Sequence, residues 1–272
     1  MAQVFDKVEV YHRARGGTLI VWSLHPLYQP AVGTVFTVLA SRPGVDDWRE
    51  VGQVIDQNAL EDPQQWIWGK APRLFYKVAL RQPGGEEAES KVVQIGNELC
   101  DKDARLLREM VRKEELRLTK LAGTCGFLYK RRLWGATCPE CTDYDTEEVT
   151  NAHCEACYGT GIVGGYFSPV EYWISDVGVN PTRRKAIDES RGVVGERVRY
   201  ARGLNCPWLD KGDVWLNFRD DRRYFVQTVR ELSFKGGIFV FDPIELRLAP
   251  VTDIIYTLPR PDDVDSSSSS SS

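Results

Sequence analysis

Four cysteines in the middle of the chain can hold a metal ion. They form two Cys-x-x-Cys pairs with twelve residues between the pairs: Cys138, Cys141, Cys154 and Cys157. A pair at this spacing directs both sulfurs at one ion from a tight turn, and two such turns complete a tetrahedral four-thiolate site. Protein ligands fill every position of such a site. The spacing therefore predicts a structural zinc ion and not a catalytic one.

Other chemistry remains open to this segment. Two disulfides, or buried thiols without a ligand, are the alternatives to zinc. The chain has 7 cysteines, an odd number, and the other three are scattered, which argues against a disulfide framework. The first residues are polar and do not resemble a secretory signal, so an oxidising compartment is not implied. Cys125 and His153 lie near the pairs, and we predict that neither is a ligand.

Two groups of basic residues are candidate interface or phosphate contacts. The first lies between Tyr129 and Trp134, where its charges can meet phosphates while an aromatic ring stacks on a base. The second follows Pro181 in a polar segment. The alternatives are an exposed strand edge for the first group and a solvated loop for the second. The six residues are Lys130, Arg131, Arg132, Arg183, Arg184 and Lys185. The segment between the cysteine pairs is acidic, which disfavours nucleic-acid recognition by the cysteine segment itself.

The sequence contains no recognisable catalytic constellation. Its histidines, His12, His25 and His153, form no triad and no His-x-x-x-His pair. No glycine-rich phosphate loop is followed by Lys-Ser or Lys-Thr. The zinc deaminase signature is also incomplete, because no His-x-Glu lies upstream of Cys138. We therefore predict that the protein is not an enzyme.

Composition restricts the class of protein. The chain has 272 residues, of which 42% are hydrophobic and 27% charged, as in soluble globular proteins. Its net charge of -4 is not that of a general polyanion binder. No run of about twenty apolar residues predicts a membrane span. The last part, residues 261–272, ends in serines and is predicted to be a disordered tail.

The predicted fold is mainly β with one long helix. Residues 1–97 contain about seven β-rich segments at the spacing of a two-sheet sandwich: 4–11, 18–24, 34–41, 48–52, 65–69, 75–81 and 91–96. Residues 98–167 combine a helix with the cysteine segment. Residues 168–260 return to short strands, with turns at 219–222 and 233–237, which fits a small β-barrel or sandwich.

The helix is predicted over residues 101–121. Apolar residues such as Leu107, Val111 and Leu118 recur at helical spacing, and Gly123 is a suitable stop. Asp101 or Asp103 is a suitable N-cap. The opposite face is rich in lysine, arginine and glutamate. The apolar stripe packs either on its own domain or on a neighbouring subunit.

The first part resembles an immunoglobulin-like domain of the fibronectin type III family. The resemblance rests on Trp22 in the second predicted strand and on Tyr76-Lys77-Val78 in a late one. In that family the early tryptophan and the late tyrosine pack across the two sheets. Such domains are adhesive or spacing modules, so the resemblance implies no catalytic activity for this part.

The order of parts resembles the neck, or head-to-tail connector, proteins of tailed bacteriophages. The resemblance covers roughly residues 100–260. It rests on the helix, on YKRRLWG at 129–135, on CPEC and CEACYGTGIVGGY, and on the C-terminal block GDVWLNFRDDRRYFVQTV with IELRLAPVTDIIYTLP. It implies a structural virion protein, made in the host bacterial cytoplasm, where thiols stay reduced and available to zinc.

The same resemblance implies partners. Copies would form a ring in the neck, on the order of six or twelve of them, to match the symmetry of the neighbouring rings. The neighbours would be a portal or adaptor protein on one side and tail terminator, tail tube or sheath proteins on the other. Packaged double-stranded DNA would pass through the lumen, and no membrane is involved. Two alternatives remain: a zinc-ribbon nucleic-acid-binding protein, and a tail or baseplate component with an adhesive sandwich.

Overall fold

The computed structural model describes residues 4–12, 17–63, 74–94, 101–143, 149–176, 198–235 and 237–261. Within them it contains fifteen β-strands and one α-helix, which confirms the predicted mainly-β class with a single helix. The strands form three sheets of three, five and seven strands. The candidate phosphate contacts Arg183, Arg184 and Lys185 lie outside the described residues, as do the predicted strand at 65–69 and residues 262–272.

The two smaller sheets form an N-terminal sandwich. The first sheet has the order β1-β2-β5 and consists of β1 (Phe5–His12), β2 (Thr18–Leu24) and β5 (Ala59–Asp62). The second sheet has the order β4-β3-β6-β7, and β8 also pairs with β6. Its strands are β3 (Val35–Ser41), β4 (Arg49–Ile55), β6 (Phe75–Arg81), β7 (Glu87–Glu89) and β8 (Val93–Gln94). The predicted two-sheet sandwich is therefore present.

The sandwich core follows from residue alternation along its strands. In β3 and β6 every second residue is buried, as expected for strands that present one face to a core. Trp22 from the first sheet and Tyr76 from the second belong to this core, and the ring centroids of Trp22 and Phe36 are 5.4 Å apart. Both aromatic residues that suggested the fibronectin resemblance thus lie between the two sheets.

Two short strands of the sandwich were not predicted. β5 has the sequence ALED and β7 the sequence EAE, and acidic residues are uncommon in strands. Both lie at sheet edges, where exposed charged side chains are tolerated because one side of the strand faces solvent. Their pairing is imposed by the neighbouring strands β2 and β6 and not by their own composition.

The predicted helix is confirmed, with a wider last turn. Helix α1 (Asp101–Arg117) continues into a π-helical turn (Leu118–Ala122). Leu118 is fully buried, whereas Leu121 is 84% exposed, because the wider turn rotates it away from the apolar stripe. The chain then leaves the helix at Gly123. A Cβ atom there would lie 2.1 Å from the carbonyl oxygen of Leu118, so only glycine fits this stop.

The third sheet is C-terminal and antiparallel. Its order is β10-β9-β13-β14-β15-β12-β11. The strands are β9 (Gly126–Tyr129), β10 (Val170–Glu171), β11 (Ile174–Asp176), β12 (Val198–Leu204), β13 (Val214–Asn217), β14 (Arg223–Phe234) and β15 (Gly237–Leu248). The turns predicted at 219–222 and 233–237 connect β13 to β14 and β14 to β15, so both are confirmed.

This sheet curls back on itself. Thr124, just before β9, exchanges two backbone hydrogen bonds with Ile174 of β11, with N···O distances of 2.6 and 3.2 Å. These bonds connect the two ends of the sheet around a core that includes Trp215, Phe241 and Leu118. The predicted small barrel is therefore the better of the two descriptions. Because β9 belongs to this sheet, the predicted parts 98–167 and 168–260 share one structural unit, and the four-part division stays a prediction.

Candidate metal centre

The four cysteines lie at the end of a ribbon that extends from the barrel. We use the name ribbon for residues 130–167 and the name tip for residues 138–161. Backbone bonds from Phe167 N to Lys130 O and from Arg132 N to Gly165 O, both 2.9 Å, pair the outgoing and returning segments. A further bond of 2.8 Å, from Cys138 N to Gly161 O, closes the tip. The ribbon thus continues the pairing of β9 with β10.

The ribbon base is buried against the sandwich. Trp134 and Phe167 belong to the sandwich core, and their ring centroids are 5.2 Å apart. The Trp134 ring also lies 5.6 Å from that of Phe36 in β3. Aromatic pairs at these distances stabilise beyond the area they bury. The segment that carries the cysteines is therefore fixed both to the barrel, by backbone pairing, and to the sandwich, by aromatic packing.

The structure brings all four predicted ligands together. Each cysteine is buried, and the four Sγ atoms lie within 4.8 Å of one another. The closest pairs are Cys138 with Cys154 at 3.6 Å and Cys141 with Cys157 at 3.2 Å. A disulfide bond would bring two sulfurs to about 2.05 Å, and all four cysteines are free thiols. Four sulfurs around one zinc ion, with Zn–S bonds of about 2.3 Å, lie roughly 3.8 Å apart, so the cluster is compatible with a structural metal ion.

The donor set restricts the kind of metal. Four thiolates in a tetrahedral arrangement suit soft or borderline ions such as zinc, or an iron–sulfur centre, and exclude the hard cations calcium and magnesium. Burial, followed by hydrogen bonding with Cys157 and Cys138, raises the pKa of Cys141 well above its ordinary value. A metal ion that binds here must therefore displace thiol protons, so binding releases protons to solvent.

Two sharp turns shape the second cysteine pair. Tyr158 N donates to Cys154 O at 2.8 Å, and Thr160 N donates to Cys157 O at 3.0 Å. Tyr158 and Gly159 between them have φ angles of 52° and 73°. The left-handed conformation disfavours most residues but not glycine. Gly159 therefore allows the tight turn that the sequence predicted at this cysteine pair.

Gly165 should be sensitive to substitution because it lies against a cysteine of the cluster. Its φ is +59°, and a Cβ atom would lie 2.5 Å from the carbonyl oxygen of the ligand Cys157. We expect Gly165→Ala to destabilise the ribbon by more than the roughly 1–2 kcal/mol cost of a left-handed alanine, because the Cys157 backbone must also move. Thermal unfolding and the rate of metal release to a chelator measure the effect.

Gly164→Ala is the matched control. Its φ is +81°, but the nearest atom to its Cβ is Arg132 Nε at 3.5 Å, an ordinary contact. Gly164→Ala therefore has the cost of an alanine in the left-handed conformation but no steric clash with neighbouring atoms. Equal metal-release rates for the two alanine variants would contradict the argument that the contact with Cys157 matters.

The two other suggested ligands lie outside the cluster. His153 is exposed, and Cys125 is half-buried before β9. Neither belongs to the group of four donors.

Lys130 does not occupy the exposed position that a phosphate contact requires. The residue is buried, and its Nζ lies 2.6 Å from both Asp210 Oδ2 and Asp213 Oδ2. It also donates to the carbonyl oxygen of Trp208 at 2.8 Å. Burial alone would lower the pKa of Lys130, but the Asp213 and Asp210 carboxylates outweigh this effect and raise it. The charge of Lys130 is therefore neutralised within the protein.

The neighbouring arginines also contact the protein itself. Arg131 donates its backbone N–H to Asp213 Oδ1 at 2.9 Å, and its side chain is half-buried. Arg132 Nε donates to the carbonyl oxygen of Tyr166 at 3.1 Å, and its guanidinium lies 4.8 Å from the ring centroid of Phe167. Burial lowers the pKa of Arg132. The Arg131 backbone thus joins the ribbon base to the turn before β13, and the Arg132 side chain joins the two segments of the ribbon.

Asp210 and Asp213 were missed by the sequence analysis. They lie about eighty residues after Lys130, in the turn before β13, and both resemble ordinary turn residues in the sequence. The one sequence feature that could have indicated these two residues is the pattern Asp-Lys-Gly-Asp directly before an apolar strand. It could not indicate which cation the carboxylates would meet, because that contact depends on the pairing of β9 with β13.

Comparisons with known proteins do not extend these observations. No protein-family model matches the chain. No curated protein is significantly similar to it in sequence. Among the residues that the structure describes, no helix combines the length and the apolar character needed to cross a membrane.

Proposed function

We propose that this protein is a non-enzymatic structural subunit of a tailed-bacteriophage virion, and that its copies form the neck ring that joins portal and tail. The observation that carries the structural role is the position of the cysteine cluster. Its four buried donors close a ribbon whose base packs into the sandwich core and whose backbone continues the barrel sheet. The metal in this proposal is zinc, and it holds the ribbon in shape.

The geometry of the cluster favours this role over catalysis. Four protein ligands leave no open position at which a zinc ion could bind substrate or water. Two clefts, of about 550 and 320 Å³, lie beside the sandwich, and the four cysteines line neither of them. The tip is also too small to form a hydrophobic core of its own, because its buried cluster consists of the four cysteines with Ala156 packed against them. A metal ion supplies the stability that such a segment otherwise lacks.

The neck position rests on the motifs within 129–166 and 212–259 that resemble connector proteins. The incomplete burial of α1 supports an assembly role. Leu106 and Leu116 remain 46% and 37% exposed, although the helix packs on β12 and β15. In the proposed ring, the neighbours are further copies of the chain, a portal or adaptor protein, and tail terminator, tube or sheath proteins, with packaged DNA in the lumen.

Antibody labelling of intact particles from the source tests the proposal. Label at the junction between head and tail is the expected result. Label at the tail tip would instead support a tail or baseplate component in which the sandwich is adhesive. Mass spectrometry of the same purified particles controls for a buried epitope. Absence of the chain from the particles would contradict the virion assignment.

The zinc-ribbon nucleic-acid-binding alternative has lost part of its support. Its strongest candidate, Lys130, is buried between two carboxylates. A filter-binding assay with duplex DNA at several salt concentrations would test whether the protein binds nucleic acid. A steep fall of affinity with rising salt would indicate that several phosphates are neutralised by the protein.

A further inference from the structure

We propose that the outer face of α1 binds the ribbon tip of a second copy of this chain. The proposal rests on the ring assembly proposed above and identifies the surfaces that build it. It would make the contact heterologous, because two different surfaces meet. A heterologous contact that repeats with a closing rotation generates a ring.

The outer face of α1 is basic with apolar side chains between the charges. Four exposed cations lie along it, spanning roughly 25 Å at 1.5 Å per residue: Lys102, Arg105, Lys113 and Lys120. Leu106 and Leu116 lie on the same face and are partly exposed. The acidic residue of this face, Glu109, already pairs with Arg112 at 3.4 Å. The face therefore presents a net positive charge beside apolar surface.

The tip has the opposite character. Residues 138–161 contain six acidic residues and no lysine or arginine. Of these acids, Glu140, Asp143 and Glu155 are exposed in the described part of the tip. Val149 in the tip and Val163 beside it are 38% and 42% exposed. The tip therefore presents negative charge and small apolar side chains, which complement the face of α1.

The basic face of α1 is open to a second copy. The inward side of α1 packs on β12 and β15, and its Glu114 pairs with Arg202 of β12 at 2.6 Å. Asp103 near the start of the helix pairs with Lys235 beside β15 at 2.7 Å. These contacts orient the helix with its basic face away from the barrel. Among the residues that the structure describes, this face stays exposed, so a second copy can reach it.

A second copy fits this face better than DNA does. A phosphate backbone would satisfy the lysines but would leave Leu106 and Leu116 without an apolar partner. The tip offers carboxylates and Val149, and Val163 lies beside it. Opposite charges at such a contact steer association and set the register of the two surfaces, while apolar burial supplies affinity.

Charge reversal on each surface tests the proposal with the full-length chain. The variants are Lys113→Glu/Lys120→Glu on the helix and Glu140→Lys/Glu155→Lys on the tip. Equal amounts of ¹⁵N-labelled and unlabelled protein are mixed at low salt and treated with a carbodiimide, which joins amines to carboxylates in contact. Mass spectrometry then identifies helix–tip peptides that combine one labelled and one unlabelled partner.

The wild-type chain should give mixed-isotope cross-links between helix lysines and tip carboxylates. Each reversed variant alone should lose at least about tenfold in association measured by sedimentation, and a chain that carries both reversals should recover it. Lys91→Glu/Lys211→Glu, at two exposed positions elsewhere, is the matched control and should associate as the wild type does. Zinc content and thermal unfolding confirm that the tip variants still fold.

Several outcomes would overturn the inference. Monomeric wild-type protein without mixed-isotope cross-links excludes the contact. Association that is unchanged in each singly reversed variant places the interface elsewhere and leaves the neck assignment, which depends on particle labelling, intact. Salt-sensitive binding of a 30-bp duplex that is lost in the helix variant, without self-association, assigns the basic face to DNA.

Discussion

Cys157→Ser is expected to abolish stoichiometric zinc binding and to unfold the ribbon tip. The Cys157 thiol is fully buried, and its Sγ lies 3.2 Å from that of Cys141. Structural zinc in small modules contributes apparent binding free energies on the order of 10–16 kcal/mol, and this energy is also folding energy. Three thiolates hold zinc far less well than four. Elemental analysis of the purified protein and hydrogen exchange across residues 138–161 measure the two effects.

The chain supplies a matched control for this substitution. Cys125→Ser changes the same atom in a half-buried residue outside the cluster, and it should keep full zinc content. The wild-type chain itself should contain one zinc ion per molecule. Stoichiometric iron in place of zinc would keep the structural cluster but change its chemistry. Absence of any metal from wild-type protein purified under reducing conditions would refute the assignment.

Lys130→Met is expected to lower the free energy of unfolding by about 3–5 kcal/mol. The substitution keeps an unbranched side chain, one heavy atom shorter, but leaves the fully buried Asp213 carboxylate without its cation. Breaking one side of a buried ion pair costs more than the pair itself contributes, because the remaining charge stays desolvated. Denaturant titration at neutral pH, with zinc content kept equal, measures the change.

Lys235→Met is the control for the effect of burial. Its ion pair with Asp103 is 2.7 Å long, close to the 2.6 Å of Lys130 with Asp213, but the Lys235 side chain is 58% exposed. Exposed pairs contribute about 0–1 kcal/mol. If Lys130→Met lowered the free energy of unfolding no more than Lys235→Met does, the ion pair of Lys130 would not stabilise the fold. The hypothesis that Lys130 contacts phosphate would then be restored.

The metal cluster was predictable because its information is local. Two residues between cysteines allow one turn to present both thiols, and Gly159 and Gly165 allow the chain to return closely past them. The sandwich strands were predictable for a similar reason, because β3 and β6 alternate between buried and partly exposed residues. In each case a short window of sequence contains the whole pattern.

The contacts that join the parts were not predictable from such windows. β9 pairs with β13, more than eighty residues later, so the sequence around Tyr129 could not reveal that it belongs to the barrel. The same distance separates Lys130 from Asp213, and an arrangement of three basic residues looks exposed until its carboxylates are known. Trp134 likewise resembles a surface aromatic until the fold places it against Phe36.

The topology of the ribbon also makes its tip a site for genetic insertion. The chain enters the tip after Thr137 and leaves it before Ile162, and these two residues are bridged across the ribbon. Both β-domains are complete without the segment between them, so a two-residue turn can replace it. A peptide epitope grafted there would be displayed at a fixed distance from the barrel. Because the proposed ring contact uses the tip, such a chain should keep both β-domains folded but fail to assemble, which would separate the role of the tip from that of the scaffold.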